Sequence, residues 1–154
     1  MRVRRGRLPE GGFFEQVVLD LLIAMGYGGD EQRVRRIGGS GDGGVDGVID
    51  QDALGLARIY VQAKRYAADN VVGRQRIQEF VGALSGRQAH QGVFITTSSF
   101  TKNAVDDADF VGVSVVLIDG ARLGELMVRY GVGVQVRDTY EVVELDENYF
   151  DEQV

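Results

Sequence analysis

A chain of 154 residues, 44% hydrophobic and 26% charged, describes one globular domain, long enough to bury roughly 70% of its unfolded surface. Its 17 Lys and Arg against 23 Asp and Glu give a net charge of -6, which argues against coating nucleic acid by bulk charge but leaves room for a local basic cleft. With no cysteine, a single histidine (His90) and no apolar run near the ~18 residues of a membrane span, disulfides, thiolate sites and a membrane partner are excluded and a cytoplasmic protein is expected.

Residues 1–12, with Arg2, Arg4, Arg5 and Arg7, predict a flexible basic arm. Phe14, Val18, Leu21, Leu22 and Met25 then fall at helix-face spacing, and Gly26 ends the run. Residues 31–37 read as a short strand and 38–44 as a glycine-rich loop. Residues 45–49 and 57–63 are strand-like and joined through Gln51-Asp52-Ala53-Leu54-Gly55, a hairpin. From 71 to 84 the apolar set Val72, Ile77, Phe80, Val81 and Leu84 is helical. Two continuous apolar runs, 92–97 and 113–118, predict buried strands. Between them Ser98-Ser99 offers an N-cap for a helix over 102–109. A helix over 123–130 follows, then one or two edge strands over 132–145 and an acidic tail at 151–154. This order predicts an α/β domain over 13–150, with a mixed central sheet flanked by helices.

Residues 1–90 carry 13 basic and 11 acidic groups, whereas residues 91–154 carry 4 and 12. The basic residues gather as the N-terminal arm, Arg33 with Arg35 and Arg36, Lys64 with Arg65, and Arg74 with Arg76. Each cluster is either a solvated patch or part of a phosphate-contacting face. His90 sits in a polar turn and reads as solvated.

Gly39-Ser40-Gly41-Asp42-Gly43-Gly44 has the G-x-G-x-x-G spacing. A dinucleotide site needs that loop to open a helix, and here a strand follows. A turn between strands, or glycines that let a polymer backbone approach Asp46, accounts for it better.

Asp46 lies at the start of the second strand, and Gln62 and Lys64 at the end of the third. Strand alternation puts Gln62 and Lys64 on one face. A hairpin turning about Leu54 sets Asp46 roughly opposite Gln62. Lys64 could simply pair with Asp46 at a sheet edge, but the set also suits phosphodiester cleavage. Magnesium takes oxygen ligands, which the Asp46 carboxylate, the Gln62 amide and the Ala63 main-chain carbonyl could supply. Lys64 could then orient water or offset developing negative charge.

The runs Gly41-Asp42-Gly43-Gly44-Val45-Asp46-Gly47, Tyr60-Val61-Gln62-Ala63-Lys64-Arg65-Tyr66, Gly92-Val93-Phe94-Ile95-Thr96-Thr97-Ser98 and Leu117-Ile118-Asp119-Gly120 together resemble the catalytic domain of Mrr-type restriction endonucleases, from about Phe13 to Tyr149. The resemblance implies the restriction-endonuclease-like PD-(D/E)xK fold and restriction of foreign or modified DNA. Asp46, Gln62 and Lys64 occupy its active-site positions, with Mg2+ as cofactor and Mn2+ as its substitute. Gln at the middle position departs from the general acidic pattern and removes one negative charge from the metal site. Glu15 matches the upstream acidic residue of this fold, and equally suits the surface of an amphipathic helix. Lys64, Arg65, Arg74 and Gln78 are the DNA-contact candidates, the last two sharing a helix face. Cutting both strands implies a homodimer or DNA-induced pairing, and the family's usual architecture implies a separate DNA-recognition domain or subunit. The contrasting expectation is a non-catalytic nucleic-acid-binding or assembly module of the same fold.

Overall fold

The computed structural model describes residues 12–29, 34–36, 44–109 and 112–145. Residues 1–11 of the expected arm, most of the glycine-rich loop, Arg33 and the acidic tail lie outside these. The elements run α1 (Phe13–Ala24), β1 (Val34–Arg36), β2 (Gly47–Asp50), β3 (Arg58–Lys64), α2 (Arg74–Gly86), β4 (Gln91–Thr96), α3 (Lys102–Asp109), β5 (Ser114–Ile118) and α4 (Gly120–Tyr130). One sheet holds all five strands in sequence order, antiparallel from β1 to β3 and parallel from β3 to β5. The expected mixed sheet with flanking helices is therefore present.

Strand alternation divides the core into two layers. Val61, Ala63, Val93 and Ile95 pack on one face against Val18, Leu22, Leu123 and Leu126 of α1 and α4. Phe94 points the other way, into Ile77, Phe80 and Leu84 of α2 and Ala104 and Ala108 of α3. The Phe94 ring meets Phe80 edge-on at 5.6 Å. Gly92 sits beneath Leu84 and Phe80, where a Cβ would come within 2.6 Å of Leu84 Cδ1. Helix α2 can approach β4 closely only because residue 92 has no side chain.

The hairpin turns where its sequence indicates. Gln51 N–H bonds Ala57 O at 2.8 Å. Asp52 accepts from Leu56 and Ala57 N–H at 2.8 and 2.9 Å. Those backbone bonds, Leu56 first, hold its carboxyl below the usual carboxylate range.

Four expectations need correction. Helix α2 starts at Arg74, not at 71, because buried Val72 is drawn into a parallel bridge with Phe100. Its N–H bonds Ser99 O at 2.8 Å and its carbonyl accepts from Thr101 N–H at 2.9 Å. The hydroxyl that caps α3 is that of Thr101, accepting from Ala104 N–H at 3.2 Å; Ser98 is buried and faces Thr96 instead. Strand β5 is an edge strand, not one covered on both faces, and Val116 is 53% exposed. After α4 ends at a left-handed Gly131, no strand forms through residue 145. Val136, Tyr140, Val142, Val143 and Leu145 of that segment are each more than 80% exposed. β-branched residues favour a pleated, half-buried surface, and among the described residues none is offered to them.

Candidate active site

The buried polar residues among those described are Gln62, Thr96 and Ser98, all at the C-terminal ends of β3 and β4 or just beyond them. An amide and two hydroxyls are held in an otherwise apolar sheet there, which is costly unless each is satisfied.

The β2–β3 register pairs Gly47 with Val61, so Asp46, one residue outside the ladder, stands opposite Gln62. Its N–H still bonds Val61 O at 2.8 Å. Its carboxylate turns onto β3: Oδ2 accepts from Ala63 N–H at 2.7 Å and from Gln62 Nε2 at 3.2 Å. Gln62 is 2% exposed, and its other terminal atom, Oε1, lies against Gly44. Gly44 turns through φ 80°, and a Cβ there would stand 3.2 Å from that oxygen. Glycine at 44 therefore serves both the turn and the close approach to Gln62.

Lys64 follows two residues on, on the Gln62 face, half-buried and paired in register with Thr96. Among the described residues no ion pair joins it to Asp46 or to any other acid. The edge-pair alternative is thus absent, and Asp46 is held by N–H donors.

Helix α1 runs away from this end of the sheet. Phe14 and Val17 share a cleft with Arg65 and Thr97, whereas Leu22 and Met25 share one with Ile59, Gln91 and Gly92. Glu15, in the first turn of α1, therefore stands at the Lys64 end, with one carboxylate oxygen buried. Arg65 is exposed at the rim of the first cleft.

The other two DNA-contact candidates are engaged elsewhere. Arg74 Nε bonds Asp107 Oδ2 at 2.7 Å, and Gln78 Nε2 reaches the same oxygen at 3.0 Å. The shared helix face serves the seam between α2 and α3, where Asp107 offsets the charge of Arg74. The Arg74 and Gln78 side chains both stay exposed, Arg74 at 59%, and a surface pair of this kind is weak.

The donor set suits a hard divalent cation that keeps several waters. Among the described residues no cluster of three or more Asp, Glu, His or Cys side chains forms; Asp46 offers a carboxylate here, and Gln62 and Ala63 offer neutral carbonyl oxygens beside it. The N–H and C=O of a strand residue point to the same side, so the Ala63 carbonyl faces the side on which its N–H meets Asp46. As arranged, Gln62 offers Asp46 its nitrogen; a half-turn about its terminal bond exchanges two groups of equal size and brings the oxygen round.

Sequence reasoning missed Thr96, Thr97, Ser98 and Gly120 as parts of this end of the sheet. Polar residues interrupting a buried apolar run were the available signal.

Comparison with known proteins agrees with the fold. Residues 9–127 match the family profile of the Mrr catalytic domain, described as a restriction endonuclease. Over 138 residues the chain is 52% identical to the type IV methyl-directed restriction enzyme EcoKMrr of Escherichia coli strain K12, covering 90% of this chain and 44% of that protein. The chain thus spans less than half the length of that relative. The solved DNA modification-dependent restriction endonuclease AspBHI superposes with a TM-score of 0.63 at 21% identity, over 82% of this chain and 33% of its own. MspJI restriction endonuclease, solved in complex with a 27-mer oligonucleotide, gives 0.54 at 28% identity, over 76% and 26%. Restriction endonucleases of this family generally use divalent metal ions. The four motifs, the mixed sheet that carries them and the profile match converge: the chain belongs to the Mrr-type restriction endonuclease catalytic-domain family, with the PD-(D/E)xK fold.

Proposed function

We propose that this chain is the catalytic part of a magnesium-dependent endodeoxyribonuclease, for which manganese can substitute, that hydrolyses phosphodiester bonds of foreign or modified DNA in the cytoplasm. The observation that carries it is the convergence of Asp46, Gln62 and the Ala63 backbone beside Lys64, which no ion pair engages among the described residues. Asp46, Gln62 and the Ala63 carbonyl would hold the cation. A cation so held supplies a Lewis acid that activates water and offsets charge on the scissile phosphate. Lys64 donates N–H groups to the attacking water or the phosphate oxygens. Arg65, at the rim, contacts a neighbouring phosphate, and Glu15 adds a carboxylate from α1. The 52% identity to a methyl-directed restriction enzyme supports modified DNA as the substrate class. A separate DNA-recognition domain or subunit would select the target, and cutting both strands calls for a second copy.

The test is supercoiled plasmid, methylated and unmethylated, incubated with magnesium, manganese or EDTA. Nicked or linear product with either metal and none with EDTA is expected. DNA retained in a gel shift without cleavage under any metal would instead make the chain a binding module.

Gln62 gives a finer prediction. Gln62→Glu puts a second carboxylate about 3.2 Å from Asp46 Oδ2. Like charges that close repel until a cation joins them. Half-saturating magnesium should therefore fall on the order of tenfold, while the metal-free protein melts lower and recovers with magnesium. Gln62→Leu should raise half-saturating magnesium. Calorimetric titration of the three proteins checks this, and equal metal affinity in all of them removes Gln62 from the site.

A further inference from the structure

Two of the four family-like motifs, the one ending in Thr97-Ser98 and Leu117-Ile118-Asp119-Gly120, contribute nothing to the cation or phosphate chemistry described so far. The structure gives them one joint task. The parallel ladder between β3 and β4 runs to the pair Lys64 and Thr96. Beyond it, Thr97 N–H still reaches Lys64 O at 3.4 Å. The Thr97 hydroxyl then takes over from the backbone: Oγ1 accepts from Tyr66 N–H at 2.9 Å and donates to Tyr66 O at 2.7 Å. One side chain thus makes the two-way exchange that a strand residue makes with its partner. It holds the chain in line for two residues past Lys64.

Thr97 is itself fixed from behind. Gly120 N–H bonds Ser98 O at 2.8 Å, and a Cβ on Gly120 would run into the Thr97 carbonyl oxygen. Asp119 sets that turn by capping α4, accepting from Arg122 N–H at 2.8 Å. So the Asp119-Gly120 turn lets α4 start against the Thr97 backbone, and the Thr97 hydroxyl clamps the segment that follows Lys64.

Strand ends fray unless tied down, and Lys64 is the last residue of β3. Asp46 fixes the residue before it through Ala63 N–H, and Thr97 fixes the residues after it. We infer that Thr97 is a positioning residue for Lys64, holding its ammonium group in line with the cation and the scissile phosphate; this rests on the nuclease reading above.

The test compares Thr97→Val with Thr97→Ser. Valine has the same shape and loses both hydrogen bonds; serine keeps the hydroxyl. Thr97→Val should lower kcat on the order of tenfold to a hundredfold, the range for loss of an orienting partner. KM for DNA, the salt dependence of binding and half-saturating magnesium should stay near wild type, because Thr97 touches neither phosphate nor cation. Thr97→Ser should recover most of kcat. A merely structural threonine would lower the melting temperature without dividing kcat from KM in this way. Wild type that cuts beside a Thr97→Val enzyme of equal kcat overturns the inference alone, as does a Thr97→Ser enzyme no better than valine. Wild type that cuts nothing under any metal overturns the nuclease reading, and this inference with it.

Discussion

Asp46→Asn is expected to lower DNA cleavage by more than about a hundredfold at matched magnesium while leaving the melting temperature nearly unchanged, since even outer-shell partners of metal ligands are worth about 10- to 100-fold. The structure favours asparagine over alanine as the informative substitution. Asp46 Oδ2 accepts Ala63 N–H at 2.7 Å, and asparagine retains a carbonyl oxygen for that bond. Alanine would strip the bond and leave a part-buried backbone N–H without its acceptor, costing about 1–3 kcal/mol. The cost would fall at the point where β2 and β3 part company, so lost activity and lost structure would be confounded. Asparagine removes the charge and keeps the hydrogen bond. Cleavage of plasmid as a function of magnesium, with thermal melts of both proteins, checks the expectation. An Asp46→Asn enzyme cutting at the wild-type rate would remove Asp46 from the site and leave its contact with Ala63 as a strand-end cap.

The parts of the site that could be read from sequence are those set by short-range rules. Alternation along β3 puts Gln62 and Lys64 on one face whatever the rest of the chain does. The turn around Leu54 fixes the hairpin register, and with it the place of Asp46 opposite Gln62, because Asp52 and Gly55 favour that turn locally. What could not be read depends on residues far apart in the chain. Arg74 and Gln78 look like a free polar face until Asp107, about thirty residues on, pairs with them. The start of α2 is set by Phe100 through the bridge that captures Val72. Residues 132–145 have strand chemistry, but a strand needs a neighbour, which local pattern does not supply. The Thr97 hydroxyl is legible only once β3 and β4 are known to lie side by side.

Lys64→Ala separates chemistry from binding. Among the described residues Lys64 has no ion pair, so its removal orphans no partner. Stability should fall by no more than about 1 kcal/mol, since truncation loses the packing of a half-buried stem but leaves no described group unsatisfied. A lysine that only touched phosphate would weaken DNA binding and reduce the slope of log affinity against log salt by about 0.9, with kcat intact once enzyme is saturating. A lysine that stabilises charge developing at the phosphate should instead cost on the order of 10²–10³ in kcat, the range for removing one such donor, with binding changed far less. The second pattern is expected, because Lys64 stands two residues beyond Gln62 on the same face and beside Ala63, whose N–H holds Asp46, while Arg65 is the residue exposed at the rim. Lys64→Arg should not restore the rate: the planar guanidinium spreads its charge and carries its donors in a rigid fork, where a compact ammonium is needed. Single-turnover cleavage at saturating protein, beside anisotropy of labelled DNA over a range of salt, reads both quantities. Full recovery of the rate at saturating protein would make Lys64 a phosphate anchor without a part in the chemical step.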